Sequence, residues 1–226
     1  MRKLLYTLLF TGLLFSLTGC FELIEDTTLN SDGSGSYKLT INLSASTTKV
    51  NSLMAMDSVK GEKIPSRQEL QEQLTVYIKN LENKEGISNA KAELNTENWI
   101  LNLYVDFESL ESLRKGLISL SEDINNKPVN DKVNEILLSY SKNIYQRKIG
   151  SLIPAEWQEK MRDYEDFAKL SEGKCVFIQR FDKEIISASS EDIRISKSKK
   201  AAMFQLSPLT LVNAPEKIDY IITTKP

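Results

Sequence analysis

The sequence predicts an α+β fold in which antiparallel β-hairpins alternate with helices and the C-terminal part is rich in short strands. Apolar residues alternate with polar ones on either side of tight-turn residues, and between these hairpins they recur at spacings of three and four. A β-prone tail after Gly173 completes the pattern. With 226 residues, 41% hydrophobic and 27% charged, the chain is long enough to bury a core. No Pro/Gly-rich linker divides it and no period recurs, so we expect one lobe, or two closely joined lobes with a boundary near Asn125.

Phe21 to Leu29 and Gly35 to Leu43 read as the first hairpin, because Asp32-Gly33 tolerates the positive φ of a tight turn. Tyr37, Leu39, Ile41 and Leu43 form its buried face. An acidic calcium loop over Asn30 to Gly35 is the other reading of this turn, but the bidentate Glu that such a loop needs is missing. Ser44 to Met56 has weak helical spacing through Val50, Leu53 and Met54. Ser66 and Glu69 then make a capping box for a helix carrying Leu70, Leu74, Tyr77, Ile78 and Leu81.

A second hairpin, Ala90 to Leu94 and Trp99 to Phe107, turns at Asn95 to Asn98. Ser109 caps a helix with Leu110, Leu113, Leu117, Leu120 and Ile124, which ends near Asn125 to Pro128. Ile136 to Tyr140 and Ile144 to Lys148 read as a third hairpin, although Val133 to Leu138 also fits a helix extension. Pro154 opens a helix that runs through Trp157, Met161, Tyr164, Phe167 and Leu170 to Gly173. The tail reads as strands at Cys175 to Phe181, Ile185 to Ser190, Ile193 to Ser196, Ala202 to Leu206, Leu209 to Val212 and Tyr220 to Thr224.

The N-terminal end carries the sharpest functional signal. Arg2 and Lys3 precede an uncharged Leu/Phe-rich stretch, Leu4 to Leu17, which is short of the roughly 20 apolar residues of a spanning helix and suits a signal peptide. Leu17-Thr18-Gly19-Cys20 resembles the bacterial lipobox. That resemblance implies cleavage between Gly19 and Cys20, diacylglycerol on the Cys20 thiol and acylation of the new amine. The expected organisation is therefore a signal peptide over 1–19 and a lipid-anchored domain over 20–226. Phe21 rather than Asp after Cys20 points to an outer membrane where the host has one, with the periplasmic face favoured over surface display.

Lys+Arg 29 against Asp+Glu 31 and a pI near 5.5 argue against a broad phosphate-binding surface, so nucleic acid is not an expected partner. Absence of histidine removes imidazole bases and His-ligated zinc. Once Cys20 is lipidated, Cys175 is the only thiol, so no intramolecular disulfide can form; in its β-prone run it reads as a small buried hydrophobe. Ser112/Lys115 and Ser171/Lys174 match the Ser-x-x-Lys start of penicillin-binding enzymes, but the companion Lys-Thr-Gly and Ser-Asp-Asn elements are missing. Asp163, Glu165 and Asp166 read as a solvated acidic helix face rather than an acid/base pair. Lys197, Lys199 and Lys200 read as a wet turn, with anionic headgroup contact as the alternative.

Leu29-Asn-Ser-Asp-Gly-Ser-Gly-Ser-Tyr37 follows the lipobox at once. Phe181-Asp-Lys-Glu-Ile-Ile-Ser-Ala-Ser-Ser190, Ile193-Arg-Ile-Ser196 and Pro215-Glu-Lys-Ile-Asp-Tyr-Ile-Ile222 close the chain. Together these resemble uncharacterised bacterial envelope lipoproteins of the LppM-like type. The resemblance implies an α+β lipoprotein domain, lipid or membrane contact in some members, and no catalytic residues to carry over. The chain departs from it at Asp182 and Ser198-Lys199-Lys200, where Pro-rich and Asp-Gly turns are expected. No cofactor or metal is expected. The functional reading is a non-enzymatic binding or interaction domain at the membrane, with lipid or an envelope protein as partner; a hydrolase using carboxylates or a Ser-Lys pair is the alternative. Leu53, Met54 and Met56 are the candidates for an apolar lip touching acyl chains or a partner, their other reading being residence in the core.

Overall fold

The computed structural model describes residues 21–59, 62–125, 128, 135–153, 155–163 and 167–226. Gly19 and Cys20, with the expected signal peptide and lipidation site, lie outside these residues, as do Pro154, Glu165 and Asp166. Strand β1 (Glu22–Leu29) turns through Asn30–Ser34 into β2 (Gly35–Asn42), with Gly33 at φ 91 supplying the left-handed position. A 3-10 turn at Ser44–Ser46 leads into helix α1 (Thr47–Met54), and two-residue strands β3 (Ser58–Val59) and β4 (Glu62–Lys63) pair with each other. Helix α2 (Arg67–Glu82) is followed by the hairpin β5 (Ile87–Asn95) and β6 (Ile100–Phe107), then α3 (Leu110–Asn125).

The third hairpin is β7 (Leu137–Ser141) and β8 (Ile144–Lys148). Beyond it come α4 (Ala155–Arg162), β9 (Lys174–Phe181), β10 (Ile185–Ala188), β11 (Arg194–Ile195), β12 (Ala201–Leu206), α5 (Pro208–Asn213) and β13 (Tyr220–Thr224). These strands form a seven-stranded sheet ordered β11-β12-β9-β1-β2-β6-β5 and a four-stranded sheet ordered β10-β13-β8-β7.

The hairpins are antiparallel as expected, and one parallel seam adjoins the first of them, β1 pairing with β9 from Glu22 opposite Lys174 to Leu29 opposite Phe181. Strands from either side of Asn125 thereby share one sheet. Two details of the sequence reading are corrected by these elements. The expected helix after Pro154 ends at Arg162, whose guanidinium bonds Asn213 Oδ1 at 3.2 Å and so ties α4 to α5; Phe167–Glu172 is 3-10 instead. A 3-10 turn keeps Phe167 and Leu170 on one side, which is why the apolar spacing mimicked a longer helix. Leu209 to Val212, read as a strand, lies in α5: the Ser207 hydroxyl accepts the Thr210 N–H at 3.1 Å and Pro208 sits in the first turn.

Helix α2 starts where the capping box placed it. Glu69 N–H donates to Ser66 Oγ at 3.1 Å, and Ser66 N–H donates to Glu69 Oε2 at 2.6 Å. Lys63 adds a 2.7 Å bond to the same carboxylate; with Lys63 first and Ser66 second, these donors hold the Glu69 carboxyl down at about 2.

The two sheets face one another across the core. Leu29, Tyr37, Val105, Phe107, Phe177 and Phe181 come from the inner face of the larger sheet, and Leu138, Tyr145, Tyr220 and Ile222 from the smaller one. Tyr145 meets Phe181 edge-to-face at 5.7 Å, an arrangement the ring quadrupoles favour. Leu81 of α2 and Leu110 and Leu113 of α3 join the same core. Gly116 lets α3 approach closely, since a Cβ there would lie 3.0 Å from Leu81 Cδ1.

Within this apolar layer sits a charged pair. Alternation on β1 turns Leu23, Glu25, Thr27 and Leu29 inward, and alternation on β8 turns Tyr145 and Arg147 inward to meet them. Glu25 is 4% and Arg147 3% exposed. Arg147 Nη1 bonds Glu25 Oε1, and its Nη2 reaches Oε2 at 3.1 Å, a two-point grip suited to guanidinium geometry. Arg147 Nε donates to the Ile218 carbonyl at 3.2 Å, the Tyr37 hydroxyl donates to Glu25 Oε2 at 3.4 Å, and the guanidinium lies 5.0 Å above the Phe177 ring. Burial works to discharge Arg147, yet attraction to Glu25 prevails and raises its pKa. Desolvation, followed by the Glu25 charge, pushes the Tyr37 hydroxyl well above its ordinary range, so it stays a proton donor.

Removing one member of such a pair strands its partner's charge, at a cost of about 3–5 kcal/mol, whereas replacing both with apolar residues is far milder. Urea denaturation should therefore rank Arg147→Met as severely destabilised and the Glu25→Leu/Arg147→Met double variant as more stable than Arg147→Met alone. The second expectation concerns acid. Because the folded pKa of Glu69 is depressed, its stabilising contribution is complete above the ordinary Glu value near 4.5 and drains as pH falls toward about 2. An NMR pH titration should show the Ser66 and Glu69 amide signals moving across that window, with the Ser66 shift abolished in Glu69→Gln.

Candidate functional site

Strand directions collect several segments at the end of the larger sheet where the described chain begins. Glu22 lies beside Asn42 on one side and Lys174 on the other. Lys174 N–H donates to the Phe21 carbonyl at 2.7 Å, and Gly173 permits that approach because a Cβ there would sit 2.7 Å from the same oxygen. Asn42 accepts the Ser44 N–H at 2.9 Å, and Leu43 N–H donates to the Trp99 carbonyl at 3.0 Å. The β5–β6 turn and the segment entering α1 thus share the end at which β1 starts.

Helix α1 is fastened there by polar contacts rather than by burial. Asn51 Oδ1 accepts both the Trp99 indole N–H and an Arg67 Nη2–H, each at 2.9 Å, and the Arg67 guanidinium stacks 5.4 Å over the Trp99 ring. Trp99 itself is 5% exposed and held at φ 55. The turn before it is organised by Asn95 Oδ1, which accepts the N–H groups of Glu97 and Asn98. No residue of α1 is buried. Leu53 and Met54 are half-buried on its last turn, and Met56, just past its end, is 50% exposed. None of the three belongs to the central core or packs against it.

The opposite end of the sheet is polar. Asp182 Oδ2 accepts the Ser31 N–H at 2.9 Å and the Ser31 hydroxyl at 2.6 Å, and these bonds hold its carboxyl below the ordinary range. Asp32 is likewise lowered, first by the Ser34 hydroxyl and then by the Ser34 N–H. The β11–β12 turn lies at this end, with Lys197, Lys199 and Lys200 exposed and Lys199 at φ 57. Eight residues of β1 separate the two ends; at roughly 3.3 Å per residue that is about 25 Å. The basic cluster and the α1 apolar residues therefore occupy opposite ends.

The other chemical candidates are engaged in local structure. Ser112 bonds Ser109 at the start of α3, with its N–H donating to Ser109 Oγ at 3.1 Å, and Lys115 lies 3.9 Å from Glu111. The Ser171 hydroxyl donates to the Ala168 carbonyl, and Lys174 approaches Glu22 at 4.0 Å. Asp163 is exposed beyond the end of α4. Among the described residues no cluster of His, Cys, Asp and Glu could hold a metal ion. Cys175 is fully buried, and that burial pushes its thiol up to about 12, far from the thiolate a nucleophile needs.

The sequence reading missed the Glu25–Arg147 pair and the Asn51–Trp99–Arg67 latch. The first left a trace: Glu25 occupies an inward position in the alternation, where an isolated charge is intolerable. The latch left none, since its members are far apart in the chain.

No family model and no curated protein matches this chain. Among solved structures, the NMR structure of the folded domain of Mycobacterium tuberculosis LppM is similar at 10% identity and a TM-score of 0.41, over 92% of this chain and 93% of that one.

In the folded protein Cys175 should resist iodoacetamide at neutral pH and react at the rate of a free thiol once urea unfolds the chain. Cys175→Ala should cost about 1–2 kcal/mol in a denaturation series, through the small cavity it leaves.

Proposed function

We propose that this chain is a lipid-anchored, non-enzymatic envelope domain that rests its α1 end on the bilayer. One coincidence supports the reading: the strand that begins two residues after the lipobox cysteine starts at the same end of the sheet as the open, apolar end of α1. Two residues of extended chain reach about 7 Å, so a lipid on Cys20 would hold this end at the headgroup layer. Leu53, Met54 and Met56 would then enter the interface, where a short amphipathic segment buries its apolar side by roughly 5–10 Å. Methionine suits such contact because its unbranched thioether adapts to irregular neighbours. Among the described residues no helix is long and apolar enough to cross a membrane, and in this reading the lipid alone anchors the domain. In a two-membrane envelope the domain would sit on the periplasmic face of the outer membrane, since Phe21 rather than Asp follows Cys20.

Two measurements test the proposal. Cys20→Ser should leave the precursor uncleaved and unlabelled by radioactive palmitate; continued labelling removes the anchor from the scheme. Full-length protein carrying Cys175→Ala and a single spin label at position 56 or at position 199 should then be reconstituted in liposomes. Lipid-borne quenchers should reach the label at 56 and miss the one at 199; equal insensitivity at both positions means the domain stands away from the bilayer.

A further inference from the structure

A groove of about 320 Å³ lies beside the free edge of β12, far from the α1 latch in sequence. It is lined by Met203 to Leu206 of β12 together with Asp192, Arg194, Thr210 and Lys217. The edge is free because β11 is only two residues long: Arg194 lies opposite Met203 and Ile195 opposite Ala202, and there the ladder stops. Before Arg194 the chain leaves the sheet line. Asp192 and Ile193 donate their N–H groups back to Ser190, and the Ile193 side chain is drawn into the core at 7% exposure.

Hydrogen-bond parity shows which backbone groups this leaves open. Phe181 N–H donates to the Lys200 carbonyl at 2.8 Å, so even-numbered residues of β12 face β9. Ser196 N–H donates to the Ala201 carbonyl at 2.8 Å, so odd-numbered ones face β11. Gln205 is odd and lies beyond the last β11 pair. Its N–H and C=O therefore point into the groove with no strand opposite among the described residues. Such an edge pairs with another extended backbone.

The geometry points to a binding site for the extended carboxy-terminal end of a protein partner, added as a short strand beside Gln205. Two features select a chain terminus. A strand running antiparallel to β12 along this line meets β11 head-on at Arg194, so it must end there. Arg194 and Lys217 line the groove against one acid, Asp192, leaving the groove as a whole net positive, and a guanidinium binds a carboxylate at two points. Neither Arg194 nor Lys217 is within ion-pair distance of an acid in any bridge among the described residues. Main-chain pairing would supply affinity and the cations the preference for a free end. This site does not depend on the membrane-facing arrangement.

The test uses full-length protein in detergent micelles against two arrays of immobilised decapeptides. Both arrays are randomised over their last three positions with β-branched residues enriched; one ends in free carboxylates and the other in amides. Free-acid peptides should be captured, with amidation weakening the best of them about tenfold or more, the loss of one charge-assisted contact. Arg194→Ala should abolish the preference for acids. Gln205→Pro removes the outward N–H without touching the bonds to β9, and should abolish capture while the thermal midpoint stays near that of the parent. Should that variant unfold, Asp192→Asn provides an independent reading, with capture of free-acid peptides strengthened several-fold. Equal capture of acids and amides, capture of neither, or full retention of the acid preference in Arg194→Ala overturns the assignment.

Discussion

The contact between Glu25 and Arg147 dictates how the two sheets may face each other. Apolar layers tolerate some sliding, because one aliphatic surface resembles another. A charge at 4% exposure tolerates none. Side chains alternate along a strand, so a one-residue slip of β8 would turn Arg147 to solvent and leave Glu25 alone in the core. The surrounding groups reinforce the requirement: Tyr37 donates to the carboxylate from the neighbouring strand, and Phe177 and Tyr220 receive the guanidinium on their rings. Four elements, β1, β2, β8 and β9, together with Ile218 and Tyr220 in the closing segment, are thus held in register by one arginine side chain. The pair adds little to the sum of favourable energies, given the desolvation it costs, but it excludes the alternatives.

The hairpins were legible because their information is local. Asp32-Gly33 sets a turn, period-two alternation assigns faces, and Ser66 with Glu69 writes a helix start into four residues. Features that depend on distant partners were not. Parallel pairing leaves no signature at either strand, so nothing in Glu22–Leu29 announces Lys174–Phe181. Leu209 to Val212 is too short for its period to decide between strand and helix; the decision falls to the Ser207-Pro208 start. The α1 segment was legible as a weak helix carrying Leu53, Met54 and Met56; its attachment through Asn51 to Trp99, 48 residues away, was not.

The polarity of the larger sheet also separates two kinds of membrane attraction. Lys197, Lys199 and Lys200 look suited to anionic headgroups when read along the chain. Folding places them about 25 Å from the start of β1, several times the screening length of about 8 Å at physiological salt. In the membrane arrangement proposed above, that cluster would contribute almost nothing to attraction, and contact would rest on Leu53, Met54 and Met56. Sequence composition cannot distinguish these cases, because it counts lysines without saying which end of a strand they reach.

The parallel pairing of β1 with β9 has a consequence for the order of events during biogenesis. Asp26 and Arg180, bonded across that seam, are 154 residues apart in sequence. Strand β1 is made well before β9, so it can close one side at once against β2 while its other side waits for the later part of the chain. Contacts this distant make folding slow and leave a strand edge open meanwhile. Strand β1 is therefore made early and sealed late, and for that interval its open edge is accessible to enzymes and chaperones that handle extended chain.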